Sequence, residues 1–179
     1  MSKEQVNIPA ERVGVLIGAE KRVKTTIESE GHVTMDVEKD GGVTISGEDA
    51  FNVYRSKDVV KAIGRGFNPT KALKLFNDGI YLKIFDIKDY AGRKKTHVMR
   101  VKGRVIGRKG KAKKFIEETT GCSLSVYGHT ASIIGDYRQV ELAGRAVEML
   151  LKGSEHSAVF SFLKREKMKI LREDIIGIR

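Results

Sequence analysis

The stretch VIGRKGKAKKFIEETTG, residues 105–121, places two glycines three positions apart directly ahead of a helical pattern. Gly107 and Gly110 lack a Cβ and tolerate backbone angles that other residues avoid. After them, apolar residues recur at the spacing of one helix face, and Gly121 is a typical helix terminator. That face is formed by Ala112, Phe115, Ile116 and Thr119. The pattern predicts a tight corner at which the main chain can approach a ligand closely.

The residues around this corner indicate that its ligand is negatively charged. Arg108 and Lys109 lie between the two glycines, and Lys111, Lys113 and Lys114 open the following helix. The first N–H groups of a helix and the positive end of its dipole favour a phosphate. We therefore expect backbone amides and basic side chains to hold a phosphate here.

The charge distribution along the chain also indicates a polyanionic partner. The 179 residues carry a net charge of +11, and residues 87–120 alone hold twelve basic residues against three acidic ones. Residues 1–50 are by contrast net negative, with six basic and ten acidic residues. Scattered lysines usually form a solvated surface, but a basic excess concentrated in one segment is typical of nucleic-acid binding.

Composition predicts a cytoplasmic globular protein. The length fits one medium domain or two small ones, and 40% hydrophobic residues can build their cores. The start is polar, no stretch is apolar enough to span a membrane, and Cys122 is the single cysteine. These features predict a reducing, cytoplasmic setting without an intrachain disulfide.

The sequence contains a weak internal repeat. Ile17-Gly18 and Ile106-Gly107 are 89 positions apart, and beyond the next turn the offset becomes 88, as a loop shorter by one residue would produce. The matched pairs are Val23 with Ala112, Ile27 with Ile116, Val33 with Cys122, Met35 with Leu124, Val37 with Val126, Ile45 with Ile133, and Gly47 with Gly135. A retained order of apolar positions and turns predicts two related domains.

The second copy shows the element order β-α-α-β-β-α. Alternation of apolar and polar residues predicts strands, and helical spacing predicts the helices between them. The predicted elements are a strand at 96–101, a short helix at 103–107, the glycine corner, a helix at 111–119, strands at 122–126 and 131–135, and a closing helix at about 140–150. Helices packed on one face of a small sheet make this an α+β fold.

The first copy follows the same plan, and a structured connector joins the two copies. Its predicted elements are a strand near 6–8, helices at 11–18, 21–30 and 49–63, and a hairpin that turns at 39–42. The predicted divisions are a first domain at 1–66, the connector at 67–92, a second domain at 93–153 and a tail at 154–179. Apolar residues in the tail, Val159, Leu163 and Ile170, fit either a docking helix or a frayed basic end.

A Gly-x-x-Gly turn between two helices in this element order resembles the KH domain, in its eukaryotic-type (type I) variant. The resemblance rests on residues 105–110, the helix after them and the strand at 122–126. It implies that the corner grips about four nucleotides of a single strand. The RNA-binding residues that it implies are Lys102, Arg104, Val105, Ile106, Gly107, Arg108, Lys109, Gly110, Lys111, Lys113, Lys114, Ser123, Leu124 and Ser125.

Within this set, phosphates and bases are expected to contact different residues. The corner and its lysines would position the strand, and base contacts would choose its sequence. The bases would lie on an apolar groove formed by Val105, Ile106, Phe115 or Ile116 and the strand at 122–126, with Ser123, Ser125 and Arg100 as candidates for reading base edges. Neutralising about six phosphates would lower the affinity by about 10³-fold between low and near-physiological salt.

The first copy departs from the KH pattern at the corresponding loop. It reads Gly18-Ala19-Glu20-Lys21, with an acid near the tip and a lysine where the second glycine is expected. A carboxylate repels phosphate, and a side chain at the fourth position hinders close approach. We predict that the first domain is a poor RNA clamp and serves mainly as a packing partner or protein-binding surface.

The chain resembles one group of KH-domain proteins over nearly its whole length. The resemblance is carried by the runs at 62–67, 102–121, 125–128 and 146–163. With a degraded first loop and an intact second one, the chain resembles the KH-domain small-subunit ribosome-assembly factors of archaea and eukaryotes. These are the partners of the nuclease that matures the rRNA 3′ end. The resemblance implies binding near the 3′ end of immature small-subunit rRNA, with that endonuclease or other assembly and translation factors as partners. Absence of the long N-terminal extension usual in eukaryotic members favours an archaeal member.

The residues give no convincing catalytic site, and we expect neither an enzyme nor a cofactor. The four histidines, His32, His97, His129 and His156, are spread over different elements, and no paired cysteines form a metal site. The glycine segment lacks P-loop spacing. Acids between residues 28 and 40 could indicate a metal-dependent nuclease, although solvated surface charges explain them more simply. Two non-enzyme alternatives stay open, a protein-interaction scaffold and a general KH-type binder of mRNA or single-stranded DNA.

Overall fold

The computed structural model describes residues 1–177, which form two compact units, Met1–Leu82 and the chain from Lys83 onward. The strands are β1 (Ser2–Asn7), β2 (Thr34–Val37), β3 (Gly42–Gly47), β4 (Ile80–Asp86), β5 (Ser123–Tyr127) and β6 (Thr130–Asp136). The helices are α1 (Ala10–Ile17), α2 (Arg22–Gly31), α3 (Ala50–Gly64), α4 (Pro69–Ala72), α5 (Lys88–Ala91), α6 (Lys95–Ile106), α7 (Lys111–Thr120), α8 (Tyr137–Lys152) and α9 (His156–Ile176). Short 3-10 turns occupy Ala19–Lys21, Leu73–Phe76 and Arg108–Gly110. No helix within these 177 residues has both the length and the apolar character needed to cross a membrane.

The first unit is a three-stranded antiparallel sheet with helices packed against it. Strand β3 is central, and its Val43 lies opposite both Val6 of β1 and Val37 of β2. Helix α3 packs along β1 and β3, and α1 and α2 pack against α3. Fully buried core residues of this unit include Leu16, Ile27, Ile45, Val53 and Ile63. Removal of these apolar side chains from water supplies the main driving force for folding.

A second sheet has the same arrangement, in the order β4-β6-β5, and the first three residues of β4, 80–82, fall within the first unit. Helix α8 packs on the central strand β6, and α6 and α7 pack against α8 and against each other. A capping box fixes the start of α8, because the Asp136 carboxylate accepts the Gln139 N–H at 2.9 Å and Gln139 Oε1 accepts the Asp136 N–H at 3.1 Å. Val105, Ile116 and Ile133 are fully buried between these elements.

Residues 96–101 are helical, so the strand predicted there is wrong. Six residues that alternate apolar and polar are too few to exclude a helix, and Val98, Val101 and Val105 follow helical spacing and pack in the core. Helix α6 therefore runs through the whole segment up to the glycine corner. The first strand of this sheet is instead β4, which lies inside the segment 67–92 that the sequence predicts as a connector.

The tail forms one long helix, α9, which decides between the two interpretations left open for it. Its first half packs against α7 and α8 and buries Val159, Phe162 and Leu163. The ring of Phe160 also lies 4.2 Å, centre to centre, from the ring of Phe115 on α7. The first half of α9 is therefore a docking helix of the second unit.

The repeated order of apolar residues corresponds to a repeated structure. Leaving aside the short α5 and the tail helix, the sheet-forming part of each unit has the order β-α-α-β-β-α and the same strand arrangement. A carboxylate of the second helix also accepts an N–H of the next strand in each unit, Glu28 from Met35 at 2.7 Å and Glu117 from Leu124 at 2.8 Å. The offset of 89 positions relates Glu28 to Glu117 and Met35 to Leu124.

Candidate nucleic-acid interface

The corner joins α6 to α7 through a backbone path that favours glycine. Gly107 has φ 74° and ψ 171°, a region essentially restricted to glycine, and Gly110 is left-handed with φ 76° and ψ 10°. Lys109 between them is also left-handed, with φ 54° and ψ 30°. The Gly107 N–H donates to the Gly103 carbonyl at 2.8 Å and so ends α6. The sequence prediction of a tight corner at these residues is confirmed.

The two glycines of the corner have different roles. A Cβ on Gly107 would lie 2.7 Å from both the backbone nitrogen and the Cβ of Ala112, so this glycine allows the close approach of α7. A Cβ on Gly110 would meet no atom within 4 Å. The fold therefore requires Gly107, whereas Gly110 leaves open space in which a ligand can reach the main chain.

Two backbone donors of the corner are already engaged. The N–H groups of Gly110 and Lys111 donate to the carbonyl oxygens of Gly107 and Arg108. Lys111 is the first residue of α7, so its amide is not left for a ligand. The expectation that the first amides of this helix hold a phosphate stays a prediction for the amides that follow Lys111. The positive end of the α7 dipole lies at the tip of the corner.

Basic side chains surround the tip on its solvent side. Arg108, Lys109 and Lys111 are exposed and extend into water. Lys114 is exposed as well, but its Nζ lies 3.6 Å from a carboxylate oxygen of Glu118, which partly neutralises it. Three exposed cations therefore lie within residues 108–111.

Helix spacing assigns two further lysines to the sides of the groove that the sequence predicts beside the corner. Lys113 precedes Glu117 by one turn of α7, and the Glu117 carboxylate reaches β5, so Lys113 lies on the helix face toward that strand. On α6, Lys102 and Ile106 share a face with Met99, which is 71% exposed. Lys102, Ile106 and Lys113 are all half-buried, which leaves part of each side chain accessible.

The apolar floor of the groove differs from the sequence prediction. Val105 and Ile116 have no exposed surface and Leu124 is 2% exposed, so these side chains belong to the core. Phe115 is covered by Phe160 of α9 and faces that helix. These four side chains are therefore not available for stacking with bases, and the predicted groove is corrected accordingly. Ile106 and Val126 are the half-buried apolar residues that remain.

Three polar or charged candidates point elsewhere. Ser123 and Ser125 flank the buried Leu124, and because successive strand residues alternate, they lie on the sheet face opposite to the helices. The guanidinium of Arg104 lies beside Gly153, where it would be 3.0 Å from an added Cβ. The Arg104 carbonyl accepts a hydrogen bond from Nε2 of His156 at 2.8 Å. The structure therefore does not bring these three side chains to the glycine corner.

Sequence reasoning missed Glu117, which positions the edge of the groove. Its half-buried carboxylate accepts the Leu124 N–H at 2.8 Å and so ties β5 to α7. An edge-strand N–H that would otherwise face the groove is thereby satisfied. The signal was present in the repeat, because the offset of 89 positions pairs Glu117 with Glu28.

The loop of the first unit has the same backbone geometry as the corner. Gly18 has φ 74° and ψ 171°, Glu20 has φ 51° and ψ 30°, and Lys21 has φ 62° and ψ 15°. The difference is chemical, because the exposed Glu20 carboxylate binds Arg22 at 2.8 Å and Lys21 occupies the position of Gly110. The loop therefore presents a neutralised pair where the second unit presents cations and open space.

Comparison with known proteins identifies the second unit. Residues 81–168 match the family model of the second KH domain of PNO1, described as a eukaryotic type KH-domain (KH-domain type I). The match begins in β4, ends in α9 and contains the whole glycine corner. This agrees with a sheet whose first strand is β4.

Relatives extend the similarity to the first unit. A KH domain-containing protein of Methanocaldococcus jannaschii is 48% identical over 175 residues, which cover 96% of this chain and 77% of that protein. The RNA-binding protein pno-1 of Caenorhabditis elegans is 33% identical over 122 residues, covering 67% of this chain but 44% of that protein. This chain thus spans less than half of the longer worm relative.

Solved structures give the same relationship. Dim2p from Pyrococcus horikoshii is 40% identical, with a TM-score of 0.84 over 92% of this chain and 99% of that one. In a complex of a/eIF2alpha, aDim2p and rRNA from the same organism, the matched chain is 40% identical, with a TM-score of 0.85 over 94% of this chain and 95% of that one. The chain therefore belongs to the family of archaeal Dim2p and PNO1 KH-domain proteins.

Proposed function

We propose that this chain is a non-enzymatic protein that binds single-stranded small-subunit rRNA through the corner at Gly107–Gly110. The observation that carries the proposal is the combination of open space beside Gly110, three exposed cations and the N-terminal end of α7 at one place. A phosphate can approach the main chain at Gly110, and the cations and the helix dipole attract it. Support also comes from PNO1 relatives named RNA-binding or pre-rRNA-processing proteins, and from the rRNA complex of aDim2p.

In this proposal the phosphates lie at the tip and the bases enter the groove between α7 and the edge of β5. The proposed contacts are Lys102, Ile106, Gly107, Arg108, Lys109, Gly110, Lys111 and Lys113. Buried neighbours such as Val105 and Leu124 shape the groove without contacting the RNA. Lys114, partly neutralised by Glu118, contributes less than the lysines before it.

We further propose that the chain consists of two tandem KH domains. Support comes from the repeated element order and from the shared backbone geometry of the loops at residues 18–21 and 107–110. The second domain would begin at β4, since that strand pairs in its sheet, and not at residue 93. The connector then shortens to about residues 65–79. With Glu20 and Lys21 at its loop, the first domain remains a poor clamp in this proposal.

The biological setting that we propose is maturation of the small ribosomal subunit in the cytoplasm. The RNA would be the 3′ region of small-subunit rRNA, and the nuclease that trims it would be a partner. This rests on the resemblance to assembly factors and on relatives named pre-rRNA-processing proteins. The complex of aDim2p with a/eIF2alpha makes a translation initiation factor a second proposed partner.

The proposal is tested by reversing the two tip charges. We expect Arg108→Asp with Lys109→Asp to weaken binding of a single-stranded rRNA 3′-region fragment by about 100-fold, because phosphate contacts dominate such affinities. Fluorescence anisotropy at fixed salt gives the dissociation constants. The matched control is Lys21→Asp with Arg22→Asp in the first unit, which changes the net charge equally and should alter the affinity by less than about threefold.

Two results would contradict the proposal in different ways. Equal RNA affinities for the wild type and a folded tip variant would reject the clamp and favour a protein-interaction scaffold. Crosslinking in a cell extract, followed by sequencing of the bound RNA, tests the target. Reads concentrated at the small-subunit rRNA 3′ region support the assembly role, whereas reads scattered over mRNAs would favour a general KH-type binder.

A further inference from the structure

A concave site in the first unit, which shares no residue with its loop, is lined by exposed aromatic side chains. The cavity has a volume of about 320 Å³ and is formed by α3, the turn at Asn77–Gly79 and the start of β4. Phe51 and Tyr54 on α3 are 60% and 56% exposed, and Tyr81 on the other wall is 52% exposed. Large aromatic rings that face water around one cavity are typical of a binding site.

A carboxylate without a hydrogen bond lines the same cavity. Asp58 follows Phe51 and Tyr54 at helical spacing, so the three share one face of α3. Its side chain is 25% exposed, and its ion-pair contact is with Lys61 Nζ at 4.0 Å. Across residues 1–177 no hydrogen bond reaches this carboxylate, and burial raises its pKa more than Lys61 and Lys57 lower it. A partly exposed carboxylate without a protein donor is free to accept hydrogen bonds from a ligand that enters the cavity.

The charged side chains that line the cavity are Arg55, Asp58 and Asp78. Arg55 donates to Asp78 at 3.2 Å and to the Phe76 carbonyl, and it lies 5.2 Å from the centre of the Phe51 ring. Because Arg55 and Asp78 neutralise each other, Asp58 is the carboxylate that can accept hydrogen bonds from a ligand. A planar group with hydrogen-bond donors can contact both the aromatic rings and this carboxylate.

We propose that this cavity binds a guanine base of single-stranded RNA. Guanine carries two adjacent donors, N1–H and N2–H, that match the two oxygens of a carboxylate, whereas the other bases offer one donor group on that edge. Its ring can stack on Phe51, Tyr54 or Tyr81, as bases stack on aromatic side chains elsewhere. The inference rests on the RNA-binding function proposed above. It adds to the phosphate corner a second contact, made to a base and placed in the other unit.

The test uses the ¹⁵N-labelled full chain and three mononucleotides that carry the same phosphate. We expect GMP to shift the amide signals of residues 51–58 and 75–82 and to bind about tenfold more tightly than AMP, the usual discrimination of one bidentate contact. IMP, which lacks the N2 amino group, should fall between them. Asp58→Asn should abolish the preference for GMP, and Tyr54→Ala should weaken GMP and AMP alike. The matched control is Asp36→Asn, an exposed aspartate of the same unit outside the cavity.

The outcomes separate this inference from the function on which it rests. In the Arg108→Asp and Lys109→Asp variant, the GMP shifts at the cavity should persist, even where rRNA binding at the corner is lost. Absence of cavity shifts at about 10 mM GMP, or equal binding of GMP and AMP, would overturn the proposal. Shifts caused by arginine amide that require Asp58, with none caused by GMP, would overturn it in favour of a protein side chain.

Discussion

A methyl group added at position 107 would meet the backbone nitrogen of Ala112 at 2.7 Å, whereas one added at Gly110 would meet nothing within 4 Å. In the first unit, Lys21 occupies the position equivalent to Gly110 with nearly the same backbone angles, φ 62° and ψ 15°. A side chain is therefore compatible with the fold at the second glycine but not at the first. Stability and RNA binding depend on different glycines for this reason.

Alanine substitutions separate these two roles. We expect Gly107→Ala to lower the free energy of unfolding by at least about 2 kcal/mol, since both the backbone region and the contact are unfavourable. Gly110→Ala should cost about 1 kcal/mol, the strain of a left-handed alanine, but weaken RNA binding roughly tenfold because the methyl group occupies space needed by a phosphate. Urea denaturation and RNA anisotropy measure both. A folded Gly110→Ala variant with wild-type affinity would contradict the second role.

The Asp86 carboxylate supplies a pH-dependent contribution to stability. It accepts the Lys88 N–H at 2.9 Å and contacts His129 Nδ1 at 3.0 Å. Burial raises the pKa of Asp86, but the hydrogen bonds and the nearby charges of Lys88 and His129 lower it by more. The pKa of Asp86 therefore lies below the ordinary value of 3.8. Because the pKa of Asp86 is lower in the folded than in the unfolded chain, its carboxylate stabilises the fold at pH values above the unfolded-state pKa. This stabilisation is lost as the pH falls through the folded-state pKa.

Asp86→Asn tests that contribution. The wild type should be more stable than the variant at neutral pH, and the difference should shrink as the pH falls below about 4, where the carboxylate becomes protonated in the unfolded chain. Thermal unfolding followed by circular dichroism at several pH values gives the difference. Asp89→Asn, an exposed neighbour on α5, is the control. A stability difference that stays constant with pH would show that the hydrogen bonds act without the charge.

At the scale of elements, the paired contacts of Glu28 and Glu117 allow the two units to be compared directly. Replacement of either by alanine leaves a strand N–H without its acceptor, and we expect each to lower the free energy of unfolding by about 1–2 kcal/mol. Only Glu117→Ala should also weaken RNA binding, because it releases the edge of β5 beside the corner. Denaturation with RNA anisotropy distinguishes them. Equal loss of affinity in both variants would locate an RNA contact in the first unit as well.

Helix α9 changes the role that the sequence suggests for Phe115. Its ring lies 4.2 Å from that of Phe160, so we expect Phe115→Ala and Phe160→Ala to lose comparable stability, about 1–3 kcal/mol each. Neither should change RNA affinity by more than about twofold, since Phe115 faces α9 and not the groove. A large loss of affinity in Phe115→Ala alone would restore this ring as a base platform.

Local signals explain which elements the sequence predicts correctly. The glycine corner, α7 and the hairpins β2–β3 and β5–β6 depend on residues near one another in the chain, and they are found where expected. The segment at 96–101 is too short to distinguish alternation from helical spacing. β4 lies within the segment that the sequence assigns to the connector, because its partner β6 begins at residue 130, far along the chain.

The directions of side chains in the site are likewise predictable only where residues nearby in the chain determine them. The cations of the corner follow from sequence alone because, within residues 1–177, Arg108, Lys109 and Lys111 stay exposed. The positions of Phe115 and Ser125 depend instead on other elements, since α9 covers the first and the burial of Leu124 fixes the outward face of the second. The exposed aromatic residues around Asp58 carry no recognisable motif. They become a candidate site only after α3 and the start of β4 are placed together.

At the scale of the whole chain, charge is divided unevenly between segments with different proposed contacts. The excess of nine positive charges lies in residues 87–120, the segment that contains the corner, while residues 1–50 are net negative. Of the basic residues predicted from sequence, Arg104 lies beside Gly153 and Lys114 contacts Glu118. Of the seven basic residues predicted, five are therefore left to neutralise phosphates, namely Lys102, Arg108, Lys109, Lys111 and Lys113.

Salt dependence measures that number. For a single strand, five neutralised phosphates give a slope of about −3.5 in log affinity against log salt, or about a 100-fold loss between roughly 50 and 200 mM. Arg108→Asp with Lys109→Asp should make the slope shallower by about 1.5 or more, because two contacts are lost. The first-unit control, Lys21→Asp with Arg22→Asp, has the same net charge and should keep the wild-type slope. If both variants reduce the slope equally, the RNA responds to overall charge and not to a phosphate clamp at the corner.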